Sequence, residues 1–517
     1  MRFPFPFAAA AGALALALAF PVAAQGIPLD RKALEEKVRA LEAKQEETTK
    51  ALLALKTSLE AATPAATHAD FRQKLDALEK QQAETKAALE AIRAGMQQRP
   101  PGPIEAPGLT TKSFPLLGSS GQVSSGTSFN PSISVIPNFS YYRDNRQGGA
   151  FEIVEEADGF HGVHAEAGHD HGGLNEGFNL GETELAFTAS VDPYFDVTAL
   201  FAASEEGLEA EEVYFRTRRL PGGFQLKGGK FLSGIGYANE QHPHQWDFAD
   251  QNLAYELVLG GHGLNDKGLQ ITWLPKLPFY LQLGAEILQG ENEKMATYIG
   301  PEEFPGLTEE GDPRVLSHRP GPRLFTGFVR VGPNIGYASA LQVGLSWASS
   351  RSHQEVHDHD GDGMPEGVLD GTADFWGANL VYKYDSPREY GAGDFVFQTE
   401  YLFRKRNLDV LGTPDTVVFK QDGAYLQAVY GLLPRIQIAT RYDLAGLTNE
   451  RVRAGVKTEY ETSKRWSAAL TFNPSEFSRV RAQYNRGEVF VGGEKETFDQ
   501  FFLQVQFSIG AHGAHSF

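Results

Sequence analysis

The sequence predicts an all-β fold: a transmembrane antiparallel β-barrel of about 16 strands, within a range of about 14 to 18, preceded by an α-helical coiled-coil segment. Three observations predict it. In the last strand Phe501, Leu503, Val505, Phe507 and Ile509 alternate with Phe502, Gln504, Gln506 and Ser508, and only Phe502 breaks the polar side. Such alternation means that one face meets an apolar phase and the other meets water. The same pattern recurs back to Ser132, behind a secretory leader. The connections between the alternating segments are short and long in turn, as turns at one rim and loops at the other would be.

The leader is residues 1–24. Arg2 supplies its charge, Ala8 to Phe20 its apolar run, and Val22-Ala23-Ala24 a cleavage site before Gln25. No later stretch reaches the apolar length of a transmembrane helix. Residues 25–96 read as a periplasmic helical repeat. Leu34, Val38, Leu41, Gln45, Thr48, Leu52, Leu55 and Leu59 step by four and three. Phe71, Leu75, Leu78, Gln82, Thr85, Leu89, Ile92 and Met96 repeat the pattern after Pro64. A seam this narrow needs a partner helix, which fits either a parallel trimer or an antiparallel hairpin turning at Pro64. Residues 97–128, with Pro100, Pro101, Pro103 and Pro107, form a linker, and 129–517 form the barrel.

Within the barrel, strands begin with Ile133, Val135, Phe139 and Tyr141 on one face and continue through 178–191, 195–201, 210–219, 223–231, 266–274 and 279–289. Further strands fall near 323–332, 336–348, 373–384, 394–405, 422–432, 435–443, 466–473, 478–486 and 498–510. Residues 451–461 read as a hairpin arm inside a long loop. Short connections lie at 192–194, 220–223, 275–278, 332–334, 385–393, 433–434 and 474–477. Long ones lie at 143–177, 232–265, 290–322, 349–372, 406–421 and 444–465. An even strand count puts both ends of the barrel, and the coil, in the periplasm. A soluble β-sandwich is the competing fold, but it does not need so many strands or such regular connections.

Composition narrows the function. The chain has 35 Phe and 18 Tyr, as a lipid-facing band with aromatic girdles requires. Mean hydropathy is -0.33, compatible with a barrel because half of each strand and every loop are wet. It has no cysteine, so disulfides and thiolate metal sites are excluded. The formal net charge of -19, without a basic stripe, argues against nucleic acid.

Most of the 14 histidines cluster. His161, His164, His169 and His171 lie in the first long loop, His242 and His244 in the second. His353, His357 and His359 lie in the fourth, beside Asp358, Asp360 and Asp362. Imidazoles with carboxylates on surface loops suit labile capture of zinc or similar ions, with no cofactor required. Asp358, Asp360, Asp362 and Gly363 also match the start of a calcium loop, but Leu369 stands where a bidentate Glu is needed, which makes calcium the weaker expectation. In the lumen, parity directs Arg216, Arg218, Lys227, Arg441, Arg479 and Arg481 inward, a basic set able to favour anions or phosphate. Glu182, Glu184, Glu286 and Glu400 point the same way and leave the selectivity open. No Gly-x-Ser-x-Gly elbow or His-Glu-x-x-His pair occurs, so an enzyme is not expected.

Several stretches carry a family resemblance. They are Glu182-Thr-Glu-Leu185, Ser190-Val-Asp-Pro-Tyr194, Glu211-Glu-Val-Tyr214, Leu220-Pro-Gly-Gly223, Gly229-Lys-Phe231 and Glu240-Gln-His-Pro-His244. Gly263-Leu-Asn-Asp266, Pro474-Ser-Glu-Phe-Ser478 and the end Gly510-Ala-His-Gly-Ala-His-Ser-Phe517 complete the set. With them the barrel resembles a bacterial outer-membrane porin family often labelled zinc-regulated TonB-dependent outer membrane receptor, similar in build to the phosphate-selective porins O and P. The resemblance implies passage or uptake of metal ions through a surface pore. A plug domain is missing ahead of the barrel, which points to passive rather than energised transport. The partners expected are outer-membrane lipid, two further copies in a homotrimer and, through the coil, peptidoglycan. The competing role is a structural anchor tying the outer membrane to the cell wall.

Overall fold

The computed structural model describes residues 132–146, 149–160, 174–204, 207–292, 294–301, 314–357 and 367–510. The leader, coil and linker lie outside them. The described chain forms one sheet of twenty strand segments. In order these are β1 (Ser132–Ile136), β2 (Asn138–Asp144), β3 (Gly177–Leu180), β4 (Thr183–Ser190), β5 (Phe195–Ala203), β6 (Leu208–Thr217) and β7 (Phe224–Leu232). Then come β8 (Asn265–Trp273), β9 (Tyr280–Leu288), β10 (Leu324–Gly332), β11 (Ser339–His357), β12 (Gly367–Tyr384) and β13 (Phe395–Val410). The last are β14 (Thr416–Leu433), β15 (Ile436–Arg453), β16 (Val456–Glu459), β17 (Ser463–Ser475), β18 (Ser478–Val491), β19 (Glu494–Phe507) and β20 (Ile509–Gly510). Two short helices, α1 (Ala150–Glu155) and α2 (Leu253–Val258), sit in the connections. Among the described residues no helix is long and apolar enough to cross a membrane.

Every pairing is antiparallel, and from β4 to β19 each strand pairs with the next, except that β15 pairs both with its arm β16 and with β17. At the end β19 pairs with β2 and β20 with β1, while β2 also pairs with β3 and β1 with β4. The first strand therefore has neighbours on both sides.

Twenty segments exceed the expected count for local reasons. Pro137, which has no N–H to give, separates β1 from β2. Gly181 and Glu182 separate β3 from β4, and Ser508 separates β19 from β20. The fourth extra segment, β16, is the hairpin arm expected at 451–461. The short connections fall where the turn residues placed them. The long loop expected at 406–421 does not exist. β13 and β14 run through it to a turn at 411–415, and β11, β12 and β15 also outrun their expected ends. Beyond the apolar band these strands carry Arg404, Lys405, Arg406, Lys420 and Gln421, so hydrophobic alternation disappears while the backbone pairing continues.

The sheet is inverted relative to a soluble protein. Phe501, Leu503 and Phe507 are exposed, while Gln500, Gln504 and Gln506 on the other face are buried. The same holds for Ile271 against Gln270 and Thr272, and for Leu470 and Phe472 against Thr471 and Asn473. Exposed Trp347 and Trp376 face each other across β11 and β12, as Tyr442 and Trp466 do across β15 and β17. Nearer the short turns Phe224 stacks on Trp273 at 5.9 Å. Aromatics at two levels flank the outward aliphatic side chains, as a lipid-facing surface requires.

The inner face is filled by connections that fold back into it. Leu253, Tyr255, Leu257 and Val258 of α2, Ala150 and Val154 of α1, and Met295 pack with Phe375, Leu402 and Phe498 of the strands. This explains Phe502, the residue that breaks the polar side of β19. Its ring lies 5.1 Å from Tyr142, which in turn packs on Phe151 of α1 at 5.2 Å.

Leu470 is 51% exposed in the middle of the outward band. Leu470→Arg should lower stability in lipid vesicles by about 2–4 kcal/mol, read by urea unfolding, because a lipid-facing strand cannot solvate the charge. An unchanged midpoint would mean that this face meets water.

Candidate functional site

The connection between β7 and β8, residues 233–264, folds across the inner face and is fixed at three kinds of contact. Its neck is closed by Asn239, whose amide donates to the carbonyls of Ser233 at 2.8 Å and Leu264 at 3.0 Å and whose oxygen accepts the Leu264 N–H at 2.7 Å. Wall glutamates then hold its backbone. Glu400 of β13 accepts the N–H groups of Tyr237 at 2.8 Å and Ala238 at 2.9 Å, with the hydroxyls of Tyr255 at 3.0 Å and Tyr425 at 2.6 Å. Glu286 of β9 accepts the Gly234 N–H at 2.8 Å, the Gln270 amide at 2.7 Å and the hydroxyls of Ser233 and Thr326. A buried carboxylate is tolerable here because several donors satisfy each one.

The far wall contributes arginines. Arg441 and Arg465 lie 2.8 and 3.2 Å from the two oxygens of Asp250. Asp250 also accepts from Gln483 at 2.7 Å and Asn485 at 2.8 Å. Burial works against its charge, yet the two guanidiniums and these donors hold its carboxyl below the usual range. Asp443 sits behind both arginines at 3.1 Å. Arg479 donates to the carbonyls of His244 at 3.1 Å and Trp246 at 3.2 Å, and Arg481 to that of Trp246 at 2.5 Å.

Between the loop and strands β6 to β11 a polar cavity stays open. Arg216, Lys227, Arg330, Glu240, Tyr237 and Gln282 are among its lining residues. Arg330 pairs with Glu240 at 2.5 Å and donates to the Gly234 carbonyl at 2.7 Å. Lys227 lies over the rings of Phe231 at 4.5 Å and Tyr214 at 5.2 Å. Arg216 is 3.6 Å from Asp196.

No family model matches the chain. An uncharacterized protein of Aquifex aeolicus (strain VF5) is 38% identical over 397 residues, covering 75% of this chain and 80% of that protein. The chain belongs to the family of that protein. Its fold is also similar to solved structures at low identity. One is an anion-selective porin from Comamonas acidovorans, 9% identical, covering 74% of this chain and 99% of that one, with a TM-score of 0.43. Another is the outer membrane channel DcaP of Acinetobacter baumannii, 11% identical, covering 74% and 96%, also at 0.43. A third is OprB of Pseudomonas putida, 13% identical, covering 74% and 94%, at 0.41.

In this family member the basic residues expected in the lumen separate into two groups. Lys227 and Arg216 reach the cavity. Arg441, Arg479 and Arg481 are covered by the loop and hold it, and Arg218 lies past the end of β6, 3.5 Å from Asp196. Glu286 and Glu400 point inward, as parity indicated, but they anchor the loop. Arg330 shares the parity of Thr326 and Phe328 on β10 and was legible as an inward residue. Glu212 shares the inward parity of Arg216 on β6 and is buried as that parity indicates, whereas Arg465 and Asp250 carry no motif that marks them.

The histidines are also placed differently from a surface-loop reading. His242 and His244 are buried inside, because their loop folds inward. His353 is buried on β11, 2.8 Å from Glu355, which also binds Arg406. His357 ends β11. His161, His164, His169, His171, Asp358, His359, Asp360 and Asp362 lie outside the described residues. His242 Nε2 is 2.8 Å from Glu212 Oε1, while its Nδ1 is 3.4 Å from Glu211 and 3.6 Å from Glu184. Burial disfavours the charged imidazole, but Glu211, Glu212 and Glu184 outweigh it and hold His242 well above the ordinary histidine range.

Asp250 ties the loop to both Arg441 and Arg465, and Glu256 of α2 lies 3.7 Å from Arg465. The depressed pKa of Asp250 means that its contribution is complete above the ordinary value of 3.8 and is lost as pH falls through the lowered one. Asp250→Asn should cost about 3 kcal/mol, since two buried guanidiniums lose one counter-charge and share the remaining Asp443. Wild-type loop protection from protease should fall in acid below about pH 4, while the variant should be cleaved equally at both pH values.

Proposed function

We propose that the chain is an outer-membrane channel for passive passage of ions or small solutes. In this reading the strands form a ring of sixteen, counting β1 with β2, β3 with β4 and β19 with β20, and leaving β16 as the arm. The observation that carries it is the polar cavity between loop 233–264 and the β6 to β11 wall, inside a sheet whose outer face is apolar. A ring satisfies every backbone group internally, the condition for crossing lipid with strands. The inward loop narrows the lumen, so passage is confined to one side of it.

The cavity favours anions. Arg330 is offset by Glu240, which leaves Lys227 and Arg216 to set the local potential, the latter in part balanced by Asp196. Uncompensated basic groups beside a narrow, low-dielectric passage raise the local anion concentration. Metal capture by the outer histidines and trimer formation through the heptads at 25–96 belong to the same reading.

Full-length chain in planar bilayers should give stepwise current. Silence at high protein would instead favour the anchor role. The double variant Arg216→Gln, Lys227→Gln should shift the reversal potential in a KCl gradient toward cations. Each charge contributes about 1 kcal/mol at close range in water, so the anion-to-cation permeability ratio should drop about tenfold after screening. Variants of the covered Arg479 should leave the ratio near that of the wild type.

A further inference from the structure

We propose that Glu184, Glu211 and His242 form a binding site for one divalent cation of the zinc type, which fastens the inward loop to the wall. The site stands apart from conduction, since it needs only the folded loop and the strands beneath it.

The three residues come from three places: Glu184 from β4, Glu211 from β6 and His242 from the loop. One ligand atom from each lies within 4.8 Å of the others. The Nδ1 of His242 faces Glu211 Oε2 at 3.4 Å and Glu184 Oε2 at 3.6 Å. Both distances exceed the usual N–H···O range of about 2.7–3.2 Å. They fit the spacing of ligand atoms around a tetrahedral ion, about 3.4 Å when each bond is about 2.0–2.2 Å. The imidazole therefore sits from its carboxylates at the separation two ligands keep from each other.

The other ring nitrogen supports this assignment. His242 Nε2 lies 2.8 Å from Glu212 Oε1, and the second oxygen of Glu212 accepts the Leu232 N–H at 2.9 Å. A metal-bound histidine commonly gives its remaining N–H to such a fixed carboxylate, which sets the tautomer and leaves the lone pair on the metal side. His244 stacks on His242 with ring centres 5.9 Å apart and an interplanar angle of 11°. Its Nδ1 lies 2.9 Å from Glu184 Oε2. Binding releases one proton from His242 Nδ1 and puts two positive charges among the carboxylates of Glu184, Glu211 and Glu212. One imidazole with two carboxylates and no thiolate suits zinc and its neighbours, whereas calcium and magnesium prefer sets made of oxygen alone.

The test uses the full-length chain, stripped with chelator, in detergent micelles, with zinc chloride as the probe. Equilibrium dialysis should show one more zinc per chain in the wild type than in His242→Gln, the outer histidines being common to both. Glu212→Gln leaves the three ligands intact and should weaken that zinc about 10- to 100-fold. Cobalt in place of zinc should give intense visible absorption in the wild type and lose it in His242→Gln. Heat-modifiable migration on gels checks folding, and Glu211→Gln replaces His242→Gln if the latter fails this check. Equal zinc per chain and equal cobalt spectra in wild type and folded variant would overturn the site, whatever the bilayer recordings show.

Discussion

The structure depends on one constraint: a backbone that crosses lipid must satisfy each N–H and C=O by itself. Strands meet it only if every one has two neighbours, and here β1 and β2 complete the pairing between β4, β3, β20 and β19. With the backbone satisfied, side chains are free to sort by face. Leucine, valine and aromatic residues turn outward, and glutamine, glutamate and arginine turn inward. The hydrophobic effect therefore acts against the solvent outside, and polar complementarity has to organise the inside.

That internal task explains why so many charges are buried around one loop. An isolated buried ion is very costly, and even a paired one adds little net stability against an apolar substitute. Its value is positional. Glu400 and Glu286 recognise particular N–H groups of residues 234–238, and Arg441 and Arg465 recognise Asp250. A loop shifted by one residue would strand several of these groups without partners. The apolar packing of α2 against Phe375 and Leu402 supplies attraction but much less register.

Much of this was legible in the sequence, for a simple reason. Where one face meets lipid, period-two alternation is enforced, and β19, β17 and β8 show it in residue order. Turns such as Asp192-Pro193-Tyr194 also announce themselves, since Asp192 accepts the N–H groups of Tyr194 at 2.7 Å and Phe195 at 2.9 Å. Legibility ended where both faces became wet. The upper parts of β13 and β14 carry Arg406, Asn407, Lys420 and Gln421 and read as loop. It ended again inside, because the inward path of 233–264 is set by contacts between residues some 160 to 230 positions apart, as in Ala238 with Glu400 or Ala249 with Gln483. Composition marks the histidine pair, but its partners Glu184 and Glu212 are ordinary inward residues of strands and Glu211 is the extra residue of a bulge in β6. Only the fold brings them under His242.

The attachment of the loop is uneven, and this shapes the cavity beside it. Toward β13 to β18 it is held by Glu400, Arg441, Arg465, Arg479 and Arg481. Toward β6 to β11 the contacts at Glu212, Glu286 and Arg330 are spaced apart, and the cavity lies among them. A loop fixed firmly on one side keeps the opposite gap at a constant width without a rigid element of its own. The gap then takes its charge from the wall, where Lys227 is kept extended across two aromatic rings and Arg330 is tied to the loop it faces. The local potential in the gap follows from which charges are already neutralised by the loop and which stay open to the cavity.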